Sequence, residues 1–264
     1  MKTISTLHDT APSTHAAHAA QKAAAAQEDS AARLNLYGGI HKALRLMLSD
    51  TLTRVGTTDL ADGAQVRESL NRVHALVKMF AGHIEHENRF MHPALERAQP
   101  GASARIAAEH GAHDDHLEAL SDLALVADLC PAGDREAAWN RLYHALALFM
   151  ADNLEHMHYE ETEHNAVLWA HYTDAELMDL HDELVASIPP DEMMNVMFWM
   201  LPAVNATERA LMLGDMRQKA PAPAFKAVMD LARSRLSAND WAALTRELHL
   251  PASEAAWDHY GEAA

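Results

Sequence analysis

Cysteine is almost absent from this chain: Cys130 is the only one in 264 residues. A lone thiol cannot close an internal disulfide or build a cysteine-rich zinc or iron–sulfur site, and such usage fits a reducing compartment, so a cytoplasmic protein is expected. Positive charge is also short. Lys and Arg number 21 against 38 Asp and Glu, which leaves a formal net charge of −17. That balance repels phosphate backbones and anionic lipid, and no local basic patch offsets it, so neither nucleic acid nor a membrane surface is expected as a partner. No apolar run approaches the roughly 18 to 20 residues that a membrane helix needs. Alternating runs that would make strands are missing too, which excludes sheet architectures.

Histidine stands out among what is present, with 19 residues against 5 each of Trp, Tyr and Phe. Apolar residues recur at helical spacing along most of the chain, which predicts an all-α fold. The breakers "GTTDLADG", "AQPGAS" and "CPAGD" divide the first two thirds into four long segments, and short loops between long helices imply an up-and-down four-helix bundle. Residues 1–30 read as an Ala-rich flexible tail, 31–172 as the bundle and 173–264 as an appended C-terminal helical subdomain. In that last part Thr173 and Glu176 form a capping-box pattern, and Pro189 and Pro190 can open a helix. Met193, Met197 and Met200 share a stripe there, which reads first as core packing and second as a soft groove for a partner.

Each of the four segments carries histidine inside its own apolar stripe. The stripes run Leu34, Tyr37, His41, Leu44, Leu48; then Leu76, Phe80, His83, Glu87, Phe90; then Ile106, His110, His113, Leu117, Leu120; then Leu142, Leu146, Phe149, Asn153, His156, Glu160. An imidazole buried without a partner among Leu and Phe costs several kcal/mol, so these groups must have partners. Two stripes repeat one pair, His83 with Glu87 and His156 with Glu160, and a separation of four puts both side chains on one face. The third segment offers His110 and His113, both on the inner stripe, and leaves open whether one or both take part. Glu109 is a possible extra carboxylate, His116 faces a neighbouring helix or solvent, and His86, His158 and His164 fall off the inner faces. Glu85 and Glu161 point away from the stripes. Four or five imidazoles and two carboxylates are too many for one tetrahedral ion but suit two ions that share carboxylates. A mixed nitrogen and oxygen set fits iron, with manganese or zinc as weaker fits.

The strings "IHKALRLML", "HIEHENRFMHPALE", "EHGAH" and "HMHYEETEH" resemble the haemerythrin-like domains over about residues 31 to 172. The resemblance implies that His41, His83, His110 or His113, and His156 bind iron, that Glu87 and Glu160 bridge two irons, and that the centre binds O2 or a related small molecule. Oxygen-carrying haemerythrins use His-x-x-x-His in the third helix and a wider His-to-Asp spacing in the fourth. Here the corresponding strings are His110-x-x-His113 and His156-x-x-x-Glu160. Relatives that repair iron–sulfur centres often carry a cysteine-bearing N-terminal module, and this chain has no cysteine there.

The expected function is therefore binding or sensing of O2, peroxide or nitric oxide at a di-iron centre, with Tyr37, Phe80 and Phe149 as walls of a small-molecule pocket. Enzymatic use would require a proton donor near the irons, for which Tyr37 is the candidate. The alternative is a metal-stabilised helical protein whose Met-rich C-terminal helices bind a partner.

Overall fold

A computed structural model describes residues 33–251, so the expected tail at 1–30 lies outside the described residues. The described residues are helical, with no strand among them. Four rods form the bundle: α1 (Gly38–Thr57); α2 (Gly63–His86), which continues through a π-helical turn (Glu87–Met91) into α3 (His92–Ala98); α4 (Ala104–Leu129); and α5 (Arg135–Tyr159), which continues through a second π-helical turn (Glu160–His164) into α6 (Asn165–His171). The connections fall on the expected breakers. Asp62 caps α2 by accepting from the amides of Ala64 and Gln65, and Asn35 does the same for Tyr37 and Gly38 at the start of α1. Such caps satisfy amides that have no partner within the helix.

Neighbours in the bundle are α1 with α2, α2 with α4, α4 with α5, and α5 with α1, which closes a square. Its core holds Leu44, Leu48, Leu76, Phe80, Leu120, Leu142, Leu146 and Phe149, all at most 1% exposed. Trp139 donates to the Val55 carbonyl at 2.8 Å and pins the start of α5 to the end of α1. Two expected stripe members move. Leu34 and Tyr37 precede α1 and join a separate apolar cluster with Met91, Leu95, Leu168 and Leu177. Phe90 is only partly buried while Met91 is 3% exposed, because the π turn shifts the helical phase just beyond Glu87.

The C-terminal part is built from α7 (Asp174–Ser187), α8 (Pro190–Ala203), α9 (Ala206–Lys219), α10 (Ala222–Arg235) and α11 (Ala238–Glu247). The Thr173–Glu176 capping box opens α7, and a second one, Asn205 with Glu208, opens α9. Met197, Leu201, Leu213, Val228, Trp241 and Leu244 make a second core. Arg209, 3% exposed, donates to the carbonyls of Leu201 and Val204 and fixes the corner between α8 and α9. Helix α8 serves both cores: it lies along α1, and its Trp199 is buried in the bundle while Met197 and Leu201 face the other way. Met193 and Met200 are partly buried by the same packing, so the methionine stripe is occupied within the fold.

Candidate metal centre

Where α1 and α4 begin and α2 and α5 run into their π turns, four imidazoles and two carboxylates converge. His41 is 0% exposed, Glu160 0%, and Glu87, His110 and His156 are 2–3% exposed; His83 is nearly as deep, with its side chain 10% exposed. Two groups of potential ligand atoms result, His41 with His83, Glu87 and Glu160, and His110 with His156, Glu87 and Glu160. Within each group the atoms all lie within 4.8 Å of one another, so each can hold one metal ion, and both carboxylates are shared. Glu87 turns one oxygen toward His83 Nε2 at 3.3 Å and His41 Nε2 at 3.7 Å, and the other toward His110 Nε2 at 3.3 Å. One oxygen of Glu160 stands 3.4 Å from His41 Nε2 and 3.5 Å from His156 Nε2.

These separations fit ligands better than hydrogen bonds. Two donor atoms bound to one ion at about 2.0–2.2 Å sit about 2.9–3.5 Å apart, depending on the angle between them. The atoms are also orphaned. Both oxygens of Glu87 and of Glu160, and Nε2 of His41, His83 and His110, are buried with no hydrogen-bond partner. Leaving so many buried polar atoms unsatisfied at about 1–3 kcal/mol each would exhaust the net stability of a domain. A cation satisfies all of them at once, and the residues present therefore fit a bound metal pair.

Outward partners hold the rings. His41 Nδ1 meets Glu161 at 3.1 Å, His110 Nδ1 meets the Asn88 side-chain oxygen at 2.8 Å, and His156 Nδ1 meets Glu109 at 2.9 Å. A proton fixed on Nδ1 leaves the Nε2 lone pair facing inward, as a metal ligand requires. Glu161 therefore does not point away from the site, as its position in the helical phase suggested. It is off the stripe of its own helix but reaches α1 across the interface.

Electrostatics agrees with ligand chemistry. Burial pushes His83 down to about 3 and His156 down to about 4, so both imidazoles are neutral at ordinary pH. Burial also works to raise Glu87, but His83, His110 and His41 together outweigh it and hold its carboxyl well below the usual range. Glu160 goes the other way, raised by burial and by the facing charge of Glu87. Two carboxylates held this close repel each other until a cation lies between them.

His113, the alternative to His110, is 4% exposed but belongs to neither ligand group; its ring packs on His156 with centroids 4.6 Å apart. His116 is exposed, as expected, near Asp152. Glu109 serves as the partner of His156 and belongs to neither group. Phe80 and Phe149 stack edge to face at 5.2 Å on the core side of the centre, whereas Tyr37, 2% exposed, touches His41 from the other side at 5.3 Å. Sequence reading missed two residues there. His164 is 1% exposed and His92 8%, with His92 stacked on His110 at 5.0 Å. His92 follows the first π turn, five positions after Glu87, where counting in steps of three and four fails; His164 lies four positions after Glu160 and extends the stripe of α5, so spacing could have found it.

Neither curated proteins nor solved structures gave a significant match to the chain. A family description does match: that of the Hemerythrin HHE cation binding domain, over residues 35–166. Those residues begin just before α1, end in α6 and contain every member of both ligand groups. On that match and the site it encloses, the chain belongs to the hemerythrin HHE cation-binding family.

Proposed function

We propose that His41, His83, His110, His156, Glu87 and Glu160 hold two iron ions, with both carboxylates bridging, and that the centre binds or senses O2 or a related small molecule such as peroxide or nitric oxide. The observation that carries this reading is the pair of ligand groups sharing two buried carboxylates whose four oxygens have no other partner. Mixed imidazole and carboxylate ligands suit iron better than zinc, which closes with four. Iron held this way supplies open coordination positions and a redox couple to a small ligand. The chain's own residues do the rest. Glu161, Asn88 and Glu109 fix the imidazoles, Phe80 and Phe149 keep water out from the core side, and Tyr37 offers a phenolic proton on the other.

Residues 31–172 form the metal-binding unit in this reading and 173–264 an extension that buttresses α1 through α8. A cytoplasmic location accompanies it, on the strength of the single cysteine. No helix among the described residues is long and apolar enough to cross a membrane. The alternative of a Met-rich partner groove is disfavoured by the methionine stripe itself, which packing already occupies.

Metal analysis of the purified protein combined with an optical spectrum in air tests the proposal. About two ions per chain with iron predominating, and near-ultraviolet charge-transfer bands that change on reduction, are expected. One tight zinc ion and a featureless spectrum would overturn it.

A further inference from the structure

A line of rings passes the shared carboxylates on the side opposite Phe80. It runs from His41 to Tyr37 with centroids 5.3 Å apart, to His164 at 6.1 Å, to His92 at 6.1 Å, and ends on His110 at 5.0 Å. Its two ends belong to different ligand groups. The three middle rings therefore span the centre from one metal position to the other.

Their polar atoms are not accounted for by packing. Nε2 of His92 and Nε2 of His164 are both buried with no partner in hydrogen-bonding geometry. The Tyr37 hydroxyl meets His164 Nδ1 at 3.2 Å. Neither histidine belongs to a ligand group, so the metal positions do not use them. One hydrogen lies between the Tyr37 hydroxyl and His164 Nδ1, so the pair keeps a second one to donate, on His164 Nε2 when the hydroxyl donates and on the hydroxyl when Nδ1 does. The Tyr37–His164 pair thus has a donor to spare, with His92 packed edge to face beside it. An unused buried donor is costly, and adjoining ones call for an acceptor between them.

We infer that Tyr37, His92 and His164 form a hydrogen-bonding wall that holds the outer atom of a small anionic ligand whose inner atom sits on a metal ion, an inference that rests on the two-ion reading above. The wall selects for charge. A bound anion, or an oxygen ligand carrying negative charge on its outer atom, gains hydrogen bonds there, and a neutral apolar diatomic does not. Peroxide-like ligands are thus the favoured class for this site.

Azide is the probe. Metal-loaded wild type and the variants Tyr37→Phe, His92→Gln and His164→Gln are titrated with azide and followed by optical absorption, with metal content measured on each. Azide affinity should fall about 10- to 100-fold in at least the two histidine variants, as expected for the loss of hydrogen bonds to a charged ligand. Metal content should stay at the wild-type level. In zinc-loaded wild type, azide should shift the side-chain nitrogen resonances of His92 and His164 and leave exposed His158 unmoved; this arm does not depend on any variant folding. Unchanged affinity in the variants, or unmoved His92 and His164 resonances, overturns the wall. So does metal loss in the histidine variants, which would make them ligands. Failure of the two-ion reading is separate, since it appears as fewer than two ions in the wild type.

Discussion

Glu161 joins two residues of α1: it accepts from His41 Nδ1 at 3.1 Å and is held through both its oxygens by Arg45 at 2.6 and 3.0 Å. The other ligand group has its counterpart. Arg105 donates to Glu109 at 2.7 Å, and Glu109 meets His156 Nδ1 at 2.9 Å. Each proposed metal position thus owns one imidazole that is backed by an arginine-anchored carboxylate.

Replacing Glu161 by Gln should weaken metal binding about 10- to 100-fold, because the ring of His41 loses a charged acceptor that fixes it and raises its basicity. Exposed Glu85 serves as the control, with no change expected for Glu85→Gln. Competitive zinc titration reads both. Equal affinities for the two variants would mean that the contact between Glu161 and His41 is incidental.

The two carboxylates proposed to bridge should behave differently from their partners. Glu87→Gln and Glu160→Gln each remove an anion common to both ligand groups, so either one should cost both ions and not half of them. Metal-to-protein ratios measured after desalting decide this. A ratio that drops by one ion only would show that the carboxylate in question serves a single position.

Trp199 lies in α8 but is 3% exposed within the bundle core, where Arg72 stacks over its ring at 5.2 Å. Trp199→Ala should destabilise the whole chain by about 3–5 kcal/mol in denaturant unfolding, since it leaves a large cavity at the junction of two cores. A loss below about 1 kcal/mol would imply that the bundle does not depend on the helices that follow it.

His164 gives the metal-free protein a pH dependence of known sign. Burial, with the nearby His92, pushes it down to about 4, against a smaller opposing pull from Glu87 and the Ala102 backbone. The unfolded chain, with an ordinary histidine near pH 6.5, therefore binds the extra proton first, and stability falls as pH drops from about 6.5 toward 4. Between pH 7.5 and 4 the wild type should lose on the order of 2 kcal/mol relative to His164→Gln. Parallel curves for the two proteins would rule this out.

Much of the fold was legible because period and punctuation agree. The stripes of α4 and the body of α5 are buried as their spacing required, and the loops fall on the glycine and proline breakers. The convergence of His41, His83, Glu87, His110, His156 and Glu160 was legible too, since polar groups in apolar stripes must meet something. That His110 joins a group of possible ligands and His113 does not was invisible in spacing, because both lie on the inner face of α4. Glu161 was misjudged since helical phase describes one helix, and its partner is on another. The double duty of α8 was hidden for a related reason, as an apolar run such as "MFWML" looks the same whether it faces one core or two.

Both π turns begin at a shared carboxylate, Glu87 in one and Glu160 in the other. Deleting one residue from either, Arg89 or Thr162 for instance, would restore the α-helical repeat and swing all that follows by about 100° around the axis. The His-x-x-x-Glu strings upstream would read letter for letter as before, yet His92 or His164 would leave its place beside the metal centre. The spacings already differ: four residues lie between Glu87 and His92 and three between Glu160 and His164. Two chains with identical ligand strings can therefore face their metals with different chemistry, and the number of letters between each glutamate and the next histidine tells them apart.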